Sequence, residues 1–224
     1  MTFSIPYSPF PIPHSPARSA IQSMLNLFKE IRDTFQEFLL PVDKRTDYWT
    51  VSQQFRDHVR QFLPAKKYSL LEVGCYKGLT AKSLADHFTQ YLGLDIQEQY
   101  LRIARINNIF NTNVKFQKFD VYNSDWNNII FPADVILIDA VHEYEYIKQD
   151  IDNCLKRFKN GVIIFDDYGA WESVFRAVNE AIDEGKLEIV QEIGLKKDQQ
   201  LWADESNPHS YTHFGSEGLI CRSI

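Results

Sequence analysis

Cysteine is scarce in this chain. Cys75, Cys154 and Cys221 are three in 224 residues, widely spaced and without a Cys-x-x-Cys pair. That pattern excludes a disulfide framework and a zinc site of the ribbon type, and fits a reducing, cytoplasmic compartment. Basic charge is not in excess either: 24 Lys and Arg stand against 30 Asp and Glu, a net charge of -6. There is thus no general electrostatic drive toward nucleic acid or an anionic membrane, and small-molecule chemistry is the better expectation. No apolar run is long enough to span a bilayer, and the first residues lack a basic segment followed by a continuous hydrophobic stretch, so neither a membrane span nor a secretory leader is expected. Internal repeats and low-complexity tracts are absent. What remains is a chain of ordinary apolar content, long enough for one domain with an extension.

Prolines gather at the start, with Pro6, Pro11, Pro13 and Pro16 among residues 1–18, which predicts an extended arm. From 20 to 40, Ile21, Met24, Leu25, Phe28, Ile31, Phe35, Phe38 and Leu39 recur at steps of three and four. This predicts an amphipathic helix whose apolar face packs on its own domain, meets a second copy of the chain or acts as a lid. A second helix over 50–62 follows, and 1–66 is read as an extension preceding a domain at 67–224.

Beyond residue 67, short apolar runs alternate with helical stretches. Strands are expected at 69–73, 90–95, 114–120, 135–139 and 162–166, with helices at 80–88, 97–107, 145–158 and 171–184. This alternation predicts a mostly parallel sheet built from βαβ units. Runs at 187–193 and 217–224 predict a closing antiparallel hairpin, which makes seven strands. Two of the runs end in acids: Asp139 after 135–138, and Asp166 and Asp167 after 162–165. In an open parallel sheet such ends face the ligand crevice, so these acids and His142 are expected at one site. Carboxylates suit magnesium, manganese or calcium, and a histidine beside them suits general-base work.

At the end of the first strand, Glu72-Val-Gly-Cys-Tyr-Lys-Gly-Leu-Thr80 places Gly74 and Gly78 where the chain turns into a helix, which permits close approach of a ligand to the backbone. Asp95 follows about 20 residues on, where a ribose would present its hydroxyls. The middle glycine of a dinucleotide fingerprint is replaced by Tyr76. Asp95 and Asp120 can alternatively cap the turns that follow them, and Asp167 can be a helix N-cap. Asp150 and Asp152 are read as a solvated helix face, Tyr144 as packing, and Tyr168 as a lining of the acceptor pocket. The segment 194–215, with Trp202, His209, Tyr211 and His213, is read as a loop over the site or a plain surface loop.

From residue 68 onward the sequence resembles the class I S-adenosylmethionine-dependent methyltransferases. The Glu72–Thr80 stretch is similar to their first motif in the form used by the methyltransferase domain 24 group. Ile138-Asp-Ala-Val-His-Glu-Tyr144 and Gly161-Val-Ile-Ile-Phe-Asp-Asp-Tyr168 are similar to that group's later signatures, with Asn160 replacing one glycine of a pair. The resemblance implies a Rossmann-like α/β fold and S-adenosylmethionine as cofactor. It implies a cofactor site of Glu72, Gly74, Cys75, Tyr76, Gly78, Asp95, Ile96, Asp120 and Asp139. Glu72 and Gly74 would lie along the methionine moiety and Asp120 near the adenine. The group shares a metal arrangement with the catechol-type O-methyltransferases, implying Asp139, Asp166 and Asp167 as ligands for Mg2+ (or Mn2+ or Ca2+) and His142 as the catalytic base. A histidine where the catechol type has a lysine points to the sugar-modifying branch. The expected activity is methyl transfer to a hydroxyl of a sugar or another vicinal diol. The alternatives are a non-catalytic partner protein of the same fold, and a metal-independent methyltransferase acting on nitrogen or protein.

Overall fold

Runs of Leu, Ile and Val four or five residues long are too short for helices and too uniformly apolar for half-exposed strands, so they stack where helices cover both sheet faces. The computed structural model, which describes residues 21–29, 31, 32, 50–158, 161–196 and 214–224, shows this arrangement. The chain divides into two compact units, 1–40 and 41–224. In the first, residues 21–29, 31 and 32 are helical, with Ile21, Met24, Leu25, Phe28 and Ile31 exposed. The proline-rich arm, the remainder of the 20–40 helix, Asn160, Trp202, His209, Tyr211 and His213 lie outside the described residues.

The second unit is a seven-stranded sheet: β1 (Ser69–Val73), β2 (Gln90–Asp95), β3 (Val114–Lys118), β4 (Val135–Ile138), β5 (Val162–Phe165), β6 (Leu187–Lys196) and β7 (Ser216–Ser223). Their order across the sheet is β3-β2-β1-β4-β5-β7-β6. The first five run parallel, while β7 is antiparallel to both β5 and β6. The helices are α1 (Gln53–Phe62), α2 (Leu79–Leu84), α3 (Glu98–Asn107), α4 (Tyr144–Arg157) and α5 (Glu172–Asp183). Side chains alternate between the faces, as the strand period requires. Leu71, Val73, Ile136 and Ile138 join Ile147, Ile151 and Val178 beneath α4 and α5. Leu70, Val135 and Leu137 join Phe55, Val59, Ala81 and Leu84 on the other face. α1, which the sequence reading placed in the extension, therefore contributes to the core of the sheet. Its N-cap Ser52 accepts from Phe55 N and is itself fixed by Glu217 of β7, which accepts from Ser52 N at 2.7 Å.

Register sets up the site. Val73 stands level with Leu94 of β2 and Ile138 of β4, so residues following β1, β2 and β4 emerge together where the winding reverses between β1 and β4. Several expected boundaries shift. β3 ends at Lys118 rather than at 120: Phe119 N–H still bonds Asp95 O of β2 at 2.9 Å, and the chain then turns at Asp120, which accepts from Tyr122 N and Asn123 N. β4 and β5 end one residue before their acids, and the helix expected at 80–88 is α2 continued by a 3-10 turn over Ala85–His87.

Candidate active site

The turn after β1 is built for close approach. Gly74 has φ +91°, and a Cβ placed there would stand 2.0 Å from Asp139 O and 2.7 Å from Ala140 Cα. No side chain fits between the turn and the start of the loop after β4. Gly78 has φ +69°, with Phe116 and Ala104 against the position a Cβ would take, so α2 packs directly over β3 and α3. Between the two glycines Tyr76 also takes a positive φ, 42°, a rare conformation for a residue bearing a Cβ. Asp95 holds it there: Tyr76 N donates to Asp95 Oδ2 at 3.0 Å, and Gln97 N donates to Oδ1 at 2.8 Å. Burial pushes the Asp95 carboxyl up, against these backbone donors.

A cavity of about 390 Å³ opens at this edge, lined by Gly74, Tyr76, Asp95, Ile96, Tyr100, Phe119, Asp120, Tyr122, Asp139, Val141 and His142 among others. Its walls carry the rings of Tyr76, Tyr100, Phe119 and Tyr122, which suit a flat heterocycle. Tyr76 meets Tyr100 edge-on with centroids 4.3 Å apart. Asp120 lies two residues past β3 and accepts from Tyr122 N, Asn123 N and Asn123 Nδ2 at 2.9–3.1 Å. The Asn123 amide, first among these, holds its carboxyl below the usual range. Asp120 thus caps its turn and also lines the cavity.

On the far side, Asp139 and His142 follow β4 and Asp167 follows β5. His142 Nε2 is 3.0 Å from Asp167 Oδ2 and 4.0 Å from Asp139 Oδ1. One donor atom from each of Asp139, His142 and Asp167 falls within a span of 4.8 Å. The imidazole stacks on Trp171, with centroids 5.3 Å apart and planes 25° apart, and the Ser173 hydroxyl donates to His142 O. Asp167 is buried with φ +55°, a strained backbone of the kind found at functional sites. Asp139 keeps a fifth of its side-chain surface exposed. Nevertheless burial first, then the charges of Asp166, Asp167, Glu72 and Glu217, push its carboxyl well above the usual range. These four acids share one sign, a setting that favours an added cation.

The cavity brings together Gly74, Tyr76, Asp95, Ile96, Asp120, Asp139 and His142 of the residues read from the sequence. Glu72, Cys75 and Gly78 do not line it. Glu72 is buried inside β1, its carboxyl pushed up to about 8 by burial and eased by the hydroxyls of Tyr91 and Thr80. Asp166 is buried beside Asp139 but is not in the three-residue donor group. Asp167 is not the cap of α5, which falls on Trp171. Tyr168 bonds Asn179 in the core and does not line the cavity. Tyr144 packs under the Arg176 guanidinium, 3.8 Å from the ring centroid. The solvated-face reading fails for Asp150, which is fully buried. Tyr100, Phe119, Tyr122 and Val141 were passed over. Their signal was position, each lying within a few residues of a strand end that carries an acid.

The architecture is that of the class I methyltransferases. Residues 71–164 match the family described as Methyltransferase domain. An O-methyltransferase from Bacillus cereus, solved in complex with SAH, is similar at 17% identity, with 76% of this chain and 79% of that one aligned and a TM-score of 0.54. The N-methyltransferase NodS from Bradyrhizobium japonicum is similar at 18% identity over 71% of this chain and 87% of that one, TM-score 0.52. Fibrillarin from Aeropyrum pernix, solved with natively bound S-adenosyl-L-methionine, is 15% identical over 71% and 68%, TM-score 0.51. At such identities the likeness concerns the fold. No curated protein matches the chain. Among the described residues, no helix is long and apolar enough to cross a membrane.

Proposed function

We propose that the protein transfers a methyl group from S-adenosylmethionine to a hydroxyl of a small molecule, a sugar or another vicinal diol, with help from a divalent cation. The observation that carries this reading is one cavity joining Asp95 at one end to Asp139 and His142 at the other. Bound there, S-adenosylmethionine supplies an electrophilic methyl on a sulfonium that leaves as a neutral thioether. Asp95 keeps lone pairs beyond its two backbone donors, enough to accept from ribose hydroxyls. The aromatic wall holds the adenine, and the absent Cβ of Gly74 leaves the turn close to the end of β4.

The site fits a cation: two carboxylates within reach of one ion, with an imidazole beside them and further acids of like sign behind, suit magnesium or manganese. When bound, the ion lowers the pKa of a chelated hydroxyl and fixes its orientation. We assign Asp139 and Asp167 to the cation, with the charge of Asp166 behind them. His142, oriented by Asp167 at Nε2, takes the hydroxyl proton at Nδ1. A metal-free second reading has a specific support, because the His142–Asp167 pair at 3.0 Å is by itself a base with an orienting carboxylate.

Calorimetric titration with S-adenosylmethionine, with and without magnesium, tests the reading on the wild type and Asp95→Ala. Binding by the wild type that Asp95→Ala weakens at least about tenfold is the expected result; no binding under any condition overturns it. With an acceptor from a diol panel, Asp139→Ala should abolish turnover, whereas activity kept in that variant selects the metal-free reading.

A further inference from the structure

Asp150 lies on α4 and has no solvent exposure. Its Oδ1 has no hydrogen-bond partner, and its Oδ2 faces the Tyr122 hydroxyl at 3.4 Å. A lone buried carboxylate is costly, and this one sits at the end of a chain of contacts that leads to the cavity. The Tyr122 hydroxyl donates to Asp150 and accepts from Val141 N at 3.2 Å. Gln149, next to Asp150, holds the same tyrosine by its backbone, Nε2 donating to Tyr122 O at 2.9 Å. Tyr122 and Val141 both line the cavity, and Val141 lies between Asp139 and His142.

We infer that Asp150 is a positioning residue: through the Tyr122 hydroxyl it fixes Val141 N–H, and with it the 139–142 segment that walls the methyl-donor cavity. The inference rests on the proposed reading of that cavity. An ionised Asp150 accepts a hydrogen bond from the Tyr122 hydroxyl, which leaves an oxygen lone pair turned to Val141 N–H. A protonated Asp150 competes as a donor to the same oxygen and loosens the wall. Burial pushes its carboxyl up to about 7, so the change falls in the physiological range. The titratable groups facing Asp150 are Tyr122 and, on its own helix, Cys154, with Tyr146 tilted against Tyr122 at a centroid distance of 4.4 Å. None of them is a cation, so nothing there offsets the charge.

The test is the dissociation constant for S-adenosylmethionine at pH 6 and pH 8, measured on the full chain and on Asp150→Asn, Tyr122→Phe and Asp152→Asn. The wild type should bind about 3- to 10-fold more tightly at pH 8, the range of one hydrogen bond. Asp150→Asn and Tyr122→Phe should lose the part of this response that titrates near pH 7 and keep the weaker affinity throughout. Asp152, exposed and 3.8 Å from Lys186, should be replaceable without effect. An Asp150→Asn protein with wild-type affinity and pH response overturns the inference. If the wild type does not bind S-adenosylmethionine, the functional reading fails, and the Val141 amide resonance decides the inference separately. Its pH titration near 7 should vanish in both Asp150→Asn and Tyr122→Phe, and persistence in both overturns the positioning role.

Discussion

The two sides of the cavity treat their acids in opposite ways. On the β2–β3 side Asp95 and Asp120 are met by backbone N–H groups, those of Gln97, Tyr122 and Asn123 in the turns they begin and that of Tyr76 in the turn after β1, so each carboxylate is stabilised by backbone donors. On the β4–β5 side Asp139, Asp166 and Asp167 act on one another, and His142 is the basic group among them. The first arrangement is complete once folded. The second holds its charge at a cost that a bound cation would relieve, which is what separates a recognition surface from a reactive one.

Gly74 joins the sides, and breaking it should do most. Gly74→Ala forces a Cβ into Asp139 O and strains a positive φ; about 3 kcal/mol is expected, read as a fall of about 6–12 °C in melting temperature with loss of donor binding. Next, Asp95→Asn should weaken S-adenosylmethionine about 10- to 100-fold by calorimetry with little gain in stability. Its counterpart across the cavity should do the reverse. Because the Asp139 pKa is raised on folding, the stability linked to it is present at low pH and lost as pH rises. Asp139→Asn should therefore stabilise the metal-free protein at pH 8, by about 1–2 kcal/mol. Added Mn2+ should raise the melting temperature of the wild type and not of this variant. The smallest effect belongs to Asp150→Asn. Its folded pKa of about 7 lies above the unfolded value, so the variant should melt higher than the wild type at pH 8 and unchanged at pH 4. A gain in stability accompanied by weaker donor binding would show a buried acid kept for function.

The sheet was readable in the sequence because β1, β4 and β5 are covered on both faces and so appear as unbroken apolar runs ending in polar turns. β3 was harder: Phe119 continues the apolar pattern and its N–H still bonds Asp95 O, but Asp120 then draws the backbone into a turn by accepting from Tyr122 N and Asn123 N, so the strand ends earlier than the pattern suggests. Asp150 was missed for a different reason. It lies on the stripe of Ile147, Ile151 and Cys154, whose spacing of three and four marks a buried face, but the expectation that acids are solvated overrode the period. The positive φ of Asp167, the stacking of Trp171 on His142 and the bond from Tyr122 to Val141 depend on contacts between distant segments, which spacing does not encode.

β7 lies between β5 and β6 in the sheet, and its Glu217 bonds Ser52 ahead of α1 and Leu195 N of β6. During synthesis, therefore, β5 presents an open edge and α1 lacks its anchor until residues 216–223 have emerged. Translation of the five parallel strands yields an unfinished sheet with a pairing edge exposed to any other strand. Residues 216–223 thus protect the edge of the parallel sheet as well as anchoring α1.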